Sequence, residues 1–334
     1  MYPHIISNSQ IRDLFLEASQ GKLVDYITQL HKALQRYSKN PGIVPSRFVQ
    51  PTPDGSTTHF NMQVLDDVYC GVKTLGYNPA NGSGFEGVVI VTDPKSGRLK
   101  GVAEVKELTG VRTAMCSCIA LLRQLPLFEE SVKIAVFGTG LQAFWHAYIC
   151  CKLLEGRKIT VSFAYRCTPM DTTVLQQKIP DLNIIQMPLG DQIGISKLVC
   201  ESNIIFGCIP STVPGILKKH LDQQCGPSYT YISLIGSYKS HMHECDTLLV
   251  EEFKQQGAQI LVDSIEHTLA EAGELIDAQV EAQQLLELGQ LDRAASVVPA
   301  AHVGGHRKVT MCKIVGLAVM DVSVAQAVLV EMGQ

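Results

Sequence analysis

The sequence predicts an α/β protein in which a doubly wound parallel sheet accompanies a smaller, β-rich α+β domain. From Lys133 onward, strand-like and helix-like stretches alternate, which is typical of a parallel sheet covered by helices. Before that point, residues 43–106 form short β-rich runs separated by turn residues, which indicates antiparallel hairpins. A glycine-rich turn at 138–143 follows the first strand of the alternating part. With 334 residues, the chain is long enough for two cores.

The elements before the alternating part begin with a helix. Residues 8–38 carry apolar side chains at helical spacing, and Asn8 or Ser9 is the expected N-cap before Ile11. The β-rich runs follow, broken by Pro-Asp-Gly and Pro-Lys-Ser-Gly turns. Residues 109–125 then predict a helix capped by Thr109.

The alternating part predicts parallel strands joined by helical or irregular stretches. The strands are expected at residues 132–138, 159–165, 183–187, 203–209, 229–236 and 259–263. The last stretch, 311–332, is apolar all round, so we expect one long helix that packs on the first domain. The predicted domains are residues 1–115 with 308–334, and residues 116–307.

The composition excludes several classes of protein. A formal net charge of −4 offers no electrostatic reason to expect nucleic acid or an anionic membrane as a partner. The N-terminus lacks the basic and apolar regions of a signal peptide, and no apolar run has the length of a spanning helix. The eleven cysteines contain no Cys-x-x-Cys pair, so we expect reduced thiols, no metal site and a cytoplasmic location.

The turn at 138–143 has the spacing of a dinucleotide-binding fingerprint. Gly138 permits the tight turn from strand to helix, and Gly140 lets the backbone approach a pyrophosphate. Ala143 is small enough for the helix to press on the strand. The free N–H groups of the helix N-terminus then face the phosphates. This context predicts a Rossmann-type cofactor domain.

The end of the second strand indicates which dinucleotide binds. NAD-dependent enzymes usually place an acidic residue there to bind the ribose hydroxyls. This sequence has no acid before Asp171, whereas Arg166 could pair with a 2′-phosphate and Thr168 could donate to it. We therefore expect NADPH, with NADH as the alternative.

The segment in front of the cofactor domain carries three cations in unusual settings. Lys73 lies in an otherwise apolar strand, where an unpaired ammonium is costly. Arg112 lies near a helix N-terminus, where a cation is unfavourable unless an anion joins it. With Arg47, these residues are the candidates for a substrate pocket.

Many short motifs together resemble those of the ornithine cyclodeaminase/mu-crystallin family over nearly the whole chain. They are the Arg47 segment, FNMQ at 60–63, GVKTLGYNP at 71–79, VVIVTDPKSGRLKGVAE at 88–104, LTGVRTAMCSCIA at 108–120, VFGTGLQAFWH at 136–146, LIGSY and HECD at 234–246, VDSIEHTLAEAGEL at 262–275, and VTMCKIVGLAVMDV at 309–322.

The resemblance implies that the first domain binds substrate and forms a homodimer, with the final helix returning to it. It implies that Lys73, Arg112 and Arg47 are catalytic: Arg112, supported by Arg47, grips a substrate carboxylate, and Lys73 exchanges a proton with the substrate nitrogen. Met62 and Asp321 join these three as substrate-binding residues. The implied cofactor-binding residues are Thr113, Gly138, Thr139, Gly140, Leu141, Gln142, Arg166 and Thr168.

Asp321 and two histidines each allow more than one interpretation. Asp321 is the one carboxylate in the apolar final stretch, so it either hydrogen-bonds substrate or nicotinamide, or forms a structural cap or salt bridge. His241 and His243 alternate as on one strand face. Because a third ligand is missing, solvated loop histidines are favoured over a metal site.

Two departures from the family pattern bear on the reaction. Cyclodeaminases of the family carry an Asp in a Gly-Ala-Asp turn after the fifth strand, whereas this turn reads Gly236, Ser237, Tyr238. Ketimine reductases of the mu-crystallin type also lack that acid and have Arg after the second strand. Gln63 replaces the usual Pro near the expected pocket, which leaves the substrate range open.

The sequence therefore predicts a homodimeric, NAD(P)H-dependent reductase of C=N bonds in small α-imino acids, of the ketimine, pyrroline- or piperideine-2-carboxylate type. The reverse oxidation of an amino acid is included. The alternatives are an ornithine cyclodeaminase or imine-forming amino-acid synthase, and a non-catalytic NADPH-dependent protein that binds a small ligand.

Overall fold

The computed structural model describes residues 4–82, 84–236, 239–291 and 298–333. The chain divides into two compact units: unit 1 contains residues 1–116 and 316–334, and unit 2 contains residues 117–315. No helix in the described ranges combines the length and apolar character needed to cross a membrane.

The elements are numbered along the chain. The helices are α1 (Asn8–Glu17), α2 (Gln20–Lys39), α3 (Val105–Gln124), α4 (Leu141–Leu153), α5 (Thr173–Lys178), α6 (Gln192–Glu201), α7 (Lys218–Leu221), α8 (Thr247–Gln255), α9 (Ile265–Glu271), α10 (Gly273–Asp277) and α11 (Ala318–Met332). The strands are β1 (His4–Ile6), β2 (Phe48–Pro51), β3 (Thr58–Leu65), β4 (Cys70–Tyr77), β5 (Phe85–Thr92), β6 (Leu99–Glu104), β7 (Ser131–Phe137), β8 (Lys158–Tyr165), β9 (Asn183–Pro188), β10 (Ile204–Gly207), β11 (Tyr229–Leu234), β12 (Ile260–Val262), β13 (Leu285–Glu287), β14 (Ala301–Val303) and β15 (Arg307–Lys313).

Unit 1 is built on a sheet with the strand order β1-β6-β5-β4-β3-β2. The pairs from β2 to β6 are antiparallel, as the β-rich pattern predicts, and β1 adds a parallel edge. The apolar helix α11 packs on α2 and on strands β3 to β6 of this sheet. The expectation that the end of the chain packs on the first domain is confirmed.

Unit 2 contains a parallel sheet with the order β13-β12-β15-β11-β10-β7-β8-β9. Strand β7 pairs with β8 on one side and β10 on the other, so the order reverses at β7. In open sheets of this kind, ligands bind beyond the carboxyl ends of the strands at such a reversal. The glycine turn at 138–143 lies at this point.

Two helix predictions near the N-terminus need correction. The 8–38 segment forms two helices, because Ala18 is extended and Ser19 caps a second start. The first cap is Ser7, which forms a reciprocal capping box with Gln10, rather than Asn8 or Ser9. Local pattern did not reveal this break, since apolar spacing continues through it.

The helix expected from Thr109 begins four residues earlier, at Val105. The N–H of Glu107 donates to Asn8 Oδ1 at 2.9 Å, so a distant side chain satisfies a free amide of the first turn. Thr109 is therefore an interior residue. A cap supplied from a distance of almost a hundred residues has no local sequence signal.

The predicted single helix at 311–332 is also wrong. Residues up to Lys313 form β15, which lies between β11 and β12 in the sheet of unit 2, and α11 begins only at Ala318. The expected domain boundary at 308 consequently moves to 316. A buried parallel strand is apolar on both faces, so its pattern is the same as that of a buried helix.

The cysteine prediction is wrong for one pair. The structure joins Cys200 and Cys225 in a disulfide, whereas the other cysteines are free thiols. The pairs at Cys116/Cys118 and Cys150/Cys151 lie buried in helices, as expected. Cys200 and Cys225 stand 25 positions apart with no spacing motif, so only the fold brings them together.

Candidate active site

Three charged side chains of unit 1 meet in its interior. Lys73 Nζ donates to Asp321 Oδ1 at 2.8 Å, and Arg112 Nε donates to the same oxygen at 3.1 Å. The hydroxyl oxygen of Thr109 accepts from Lys73 Nζ at 2.9 Å. The exposed fractions of Lys73, Arg112 and Asp321 are only 3%, 7% and 1%. We call this group the unit 1 ion cluster.

Strand β4 and helix α11 position two members of this cluster. Alternate residues of β4 point to opposite faces, and Gly71, Lys73 and Leu75 lie on the buried one. A Cβ at Gly71 would stand 3.3 Å from Val322, so α11 covers this face. Asp321 lies in the first turn of α11, where the helix dipole favours a carboxylate.

Burial and charge together set the ionisation of the cluster. Burial lowers the pKa of Lys73 to about 8; Asp321 opposes that shift, and Arg112 adds to it. Burial alone would raise the pKa of Asp321, but Arg112 and Lys73 outweigh it and hold that pKa below its usual value. Two cations therefore share one carboxylate, and the cluster has positive charge left for an anion. Of the alternatives for Asp321, the structure shows the ion pair.

The guanidinium of Arg112 lies against the backbone at Gly316. Gly316 has a φ of +98°, and a Cβ there would stand 3.3 Å from Arg112 Nη2. Glycine is favoured because this φ is costly for other residues. The chain between β15 and α11 can therefore pass close to the guanidinium.

The remaining substrate-site candidates occupy different settings. Met62 of β3 pairs directly with Lys73 of β4, on the same face of the sheet, and is half-buried. Arg47 immediately precedes the edge strand β2, and its side chain is exposed. Gln63, next to Met62, lies on the opposite face and is exposed. The structure thus groups Lys73, Arg112, Asp321 and Met62, and places Arg47 at the surface.

The glycine turn of unit 2 has the geometry of a phosphate cradle. Gly138 follows β7 with a φ of +121°, and its N–H donates to Ala164 O at 2.8 Å. A Cβ at Gly138 would stand 3.0 Å from Cys208 O, whereas a Cβ at Gly140 would meet nothing within 4 Å. Gly140 is the exposed N-cap of α4, and Ala143 is fully buried. The residues fit a pyrophosphate lying over the N-terminus of α4.

The other predicted cofactor residues of this turn are Thr139, Leu141 and Gln142, which are half-buried around it. Thr113 differs from them, because it is a buried residue of α3 in unit 1. Its hydroxyl donates to the Thr109 carbonyl oxygen at 2.7 Å. A role for Thr113 in cofactor binding stays a prediction.

Beyond β8, Arg166 and Thr168 lie exposed, and Arg166 lines a groove of about 840 Å³ in unit 2. Arg166 Nη2 donates to Pro210 O at 3.4 Å, and Ser211 and Thr212 continue the wall. The nearest acid along the chain, Asp171, accepts hydrogen bonds from Thr173 at the start of α5. The groove therefore offers a cation and hydroxyls where an NAD-type site offers a carboxylate.

A second buried ion cluster, which sequence reasoning did not assign, lies in unit 2. Lys313 Nζ is 2.9 Å from Glu274 Oε1 and 3.1 Å from Glu244 Oε2. Glu244 Oε2 also accepts the Gly236 N–H at 2.7 Å, beyond the end of β11. Burial raises the pKa of Glu244 to about 7; Lys313 opposes the shift and Glu274 adds to it. The sequence predicts a helix from residue 311, so it does not place Lys313 at the carboxyl end of a strand beside β11.

The histidines after β11 lie in a loop and not on a strand face. His241 is exposed, and His243 Nε2 is 2.9 Å from Asp277 Oδ2. Within the described ranges, no group of three or more His, Cys, Asp or Glu side chains could hold a metal ion. Ser237 and Tyr238, which replace the family acid, lie outside the described residues.

Comparisons with known proteins agree with this architecture. The model of the ornithine cyclodeaminase/mu-crystallin family matches residues 18–332. An uncharacterized protein of Saccharomyces cerevisiae is 37% identical over 356 residues, which cover 96% of this chain and 95% of that protein. The ketimine reductase mu-crystallin of Mus musculus is 23% identical over 339 residues, covering 98% and 96%.

A solved structure matches at the level of the fold. The Thermococcus litoralis Delta(1)-pyrroline-2-carboxylate reductase, in complex with NADH and L-proline, superposes with a TM-score of 0.74 at 19% identity, covering 98% of each chain. The predicted combination of a Rossmann-type parallel sheet and a β-rich unit is confirmed. The predicted enzyme class, an NAD(P)-dependent oxidoreductase acting on C=N groups, agrees with these named reductases.

Proposed function

Because the chain belongs to the ornithine cyclodeaminase/mu-crystallin family, we propose that it is an NADPH-preferring reductase of the C=N bond in small α-imino acids. The substrates are of the ketimine, pyrroline- or piperideine-2-carboxylate type, and the reaction is reversible towards amino-acid oxidation. The observation that carries the proposal is the buried cluster of Lys73, Arg112 and Asp321 in unit 1. A dry site with excess positive charge suits a substrate that presents a carboxylate next to a nitrogen.

Arg112 binds the substrate carboxylate. Its Nε donates to Asp321, so in this proposal the Nη groups donate to the substrate carboxylate. Asp321 holds the guanidinium and Lys73 in place rather than contacting the substrate carboxylate, which it would repel. Arg47, at the surface of the same unit, contributes positive charge that attracts the anion.

Lys73 donates a proton to the imine nitrogen. With a pKa of about 8, its ammonium is mostly protonated at neutral pH and still releases its proton more readily than an exposed lysine. The nicotinamide cofactor, when bound, supplies the hydride that the imine carbon receives. The C=N bond thereby becomes CH–NH, and Lys73 regains its proton from solvent.

The cofactor is held by unit 2. The Gly138–Gly140 turn cradles the pyrophosphate, with Thr139, Leu141 and Gln142 around it. Arg166 and Thr168 bind the 2′-phosphate at the end of β8, which favours NADPH over NADH. The solved relative is in complex with NADH, so the proposed preference for NADPH is argued from Arg166 and Thr168 of this chain and not from that structure.

The protein acts as a homodimer through the face of the unit 1 sheet that α11 does not cover. Ile5, Val102, Ile90 and Val72 pair in one row across four strands on the side opposite Lys73. Ile5 is 75% exposed, and the other three are half-buried. An apolar row of this kind is suited to burial against a second copy. A cytoplasmic location stays a prediction.

The decisive experiment supplies purified protein with NADPH and Δ1-pyrroline- or Δ1-piperideine-2-carboxylate and follows NADPH absorbance. We expect substrate-dependent NADPH oxidation and no release of ammonia from ornithine. Ammonia release would instead support a cyclodeaminase. Tight NADPH binding without any turnover would support a binding protein.

Lys73→Met tests the catalytic assignment. Loss of the proton donor is expected to lower kcat/KM by about 10²–10⁴-fold while NADPH affinity is unchanged. Asp321 retains Arg112 as its partner, so the variant is expected to fold. Lys100→Met, on β6 of the same sheet, is the matched control. Full activity of Lys73→Met would remove Lys73 from its role.

A further inference from the structure

The disulfide of unit 2 joins a buried cysteine to an exposed one. Cys200 lies near the end of α6 with no exposed surface, and Cys225 lies after α7 at the surface. We propose that this pair is a reversible thiol–disulfide site that exchanges with dithiol reductants, and that Arg307 stabilises its reduced state. Neither cysteine belongs to the substrate cluster or the cofactor cradle.

Arg307 is a buried cation with few partners. Its side chain has no exposed surface, and its Nη2 donates to the Cys200 carbonyl oxygen at 2.6 Å. Its Nε and Nη1 have no hydrogen-bond partner among the described residues. Burial lowers the pKa of Arg307 to about 10, with Asp222 opposing that shift. A desolvated guanidinium of this kind is stabilised by any anion that forms beside it.

The sulfur of Cys200 is in position to be that anion. Arg307 Nη2 lies 3.9 Å from Cys200 Sγ. The loop that carries Cys225 closes directly over the guanidinium, because a Cβ at the adjacent Gly226 would collide with Arg307 Nη2 and with Cys200 O. Because Gly226 has no side chain, the Arg307 guanidinium can lie directly beside the Cys200–Cys225 pair.

The oxidised and reduced states differ in the charge that Cys200 Sγ places next to the Arg307 guanidinium. In the disulfide, the neutral sulfur offers the guanidinium no counter-charge. After reduction, the Cys200 thiolate forms an ion pair with it, and an adjacent cation favours the thiolate of a cysteine. Stabilising the reduced form makes a disulfide easier to reduce. The site is consequently more reducible than a purely structural disulfide.

The exchange proceeds through the exposed sulfur. A thiolate of the dithiol attacks Cys225 Sγ, forms a mixed disulfide and displaces Cys200 as a thiolate beside Arg307. The second thiol of the dithiol then attacks the sulfur through which the dithiol is bound to Cys225. This closes the dithiol into a disulfide and releases Cys225. The protein disulfide gains two electrons and one proton, because Cys225 takes up the proton of the dithiol's second thiol while Cys200 remains a thiolate beside Arg307. The dithiol becomes a disulfide, and reoxidation reverses both steps.

The disulfide also links helix α6 to the loop that follows α7, and both helices line the groove that contains Arg166. Helix α6 supplies Gln192 and Ile195 to that groove, and α7 supplies His220. Besides the disulfide, Gln223 Nε2 donates to Ser196 Oγ at 2.7 Å across the same two segments. Reduction removes the covalent link and leaves weaker contacts, so α6 becomes less constrained.

The test equilibrates the full-length protein with mixtures of reduced and oxidised dithiothreitol, then alkylates free thiols and quantifies the Cys200–Cys225 peptides by mass spectrometry. Arg307→Met should lower the equilibrium constant for reduction by about tenfold, while Arg307→Lys keeps the positive charge and most of the effect. Arg157→Met is the matched control, since Arg157 also donates to backbone carbonyls but away from the pair. The proposal would be overturned if Cys200 and Cys225 stayed free thiols under oxidising conditions. It would also be overturned if the equilibrium constant for reduction were the same in Arg307→Met and wild type.

A second measurement stays informative if Arg307→Met does not fold. Hydrogen exchange of α6 should be faster in the reduced than in the oxidised protein, and Cys225→Ser should match the reduced protein under both conditions. Cys225 is exposed, so this variant is expected to fold. Identical exchange of α6 in the two states would contradict the link between the disulfide and the helix.

Discussion

One oxygen atom of Asp321 is shared by the two buried cations of the unit 1 ion cluster. Lys73 and Arg112 both donate to Oδ1, and both hold the pKa of Asp321 below its usual value. Burial moves the pKa of Lys73 towards neutrality, and Asp321 keeps it from falling further. Individual side chains thus set the pH range in which the proposed proton transfer operates.

The proposed role of Lys73 predicts a pH dependence of the reduction. As the proposed proton donor, Lys73 must be protonated, and this form is lost as the pH rises through a pKa of about 8. We therefore expect kcat/KM to be level below that pH and to fall about tenfold per unit above it. In Lys73→Arg, the guanidinium keeps its proton, so the fall should disappear whatever the absolute rate. The same fall in wild type and Lys73→Arg would assign the ionisation to another group.

The proposed preference for NADPH over NADH depends on Arg166. Replacing it by Asp removes a charge-assisted hydrogen bond worth about 1.5–3 kcal/mol and adds repulsion of the 2′-phosphate. We expect NADPH affinity to fall by tenfold or more (about 1.4 kcal/mol per decade) while NADH affinity holds or improves. Lys158→Asp, at the opposite end of β8, is the control. An unchanged ratio of the two affinities by calorimetry would place the ribose site elsewhere.

At the scale of elements, the turn between β7 and α4 contains two glycines, and glycine is required at each position for a different physical reason. Gly138 needs its positive φ and has the Cys208 carbonyl oxygen close by. Gly140 has ordinary backbone angles and open space in front of it. Gly138 allows the backbone conformation of the turn, and Gly140 leaves the space in front of the α4 N-terminus open for the proposed pyrophosphate.

This difference predicts opposite phenotypes for the two alanine variants. Gly138→Ala should lose about 1–2 kcal/mol of unfolding free energy or more, because an alanine is strained at that φ. Gly140→Ala should keep the wild-type Tm but bind NADPH much more weakly, because its methyl group occupies the space of the pyrophosphate. Thermal unfolding and calorimetry separate the two effects. Equal NADPH affinity in Gly140→Ala and wild type would argue against the cradle.

At the level of the assembled protein, the apolar row on the unit 1 sheet predicts self-association. Ile5→Asp places a charge in the most exposed position of that row and should convert a dimer to a monomer in analytical ultracentrifugation. Ile193→Asp is the control, since Ile193 is 85% exposed but lies on α6 in the other unit. A wild-type monomer, or dissociation by both variants, would contradict this interface.

Local pattern was sufficient for the β-rich hairpins, the alternation of strands and helices, and the glycine cradle. In each case the signal lies within a few neighbouring residues: a turn dipeptide, a period of two, or a Gly-x-Gly spacing. The same reasoning identified Lys73 and Arg112, because a charge in an apolar segment is costly unless a partner meets it. The sequence therefore predicted that both charges need a partner, but it did not predict which residue that partner is.

Other features depended on residues far apart in the chain. The pairing of Asp321 with Lys73 spans 248 positions, the cap from Asn8 to Glu107 spans 99, and the placing of β15 between β11 and β12 requires the whole sheet. Local sequence carries no record of such partners, and a doubly buried strand has the same apolar pattern as a buried helix. The amino-acid pattern alone establishes which elements and charges are present. Their partners are settled only when the chain folds, because burial and pairing are properties of three-dimensional packing.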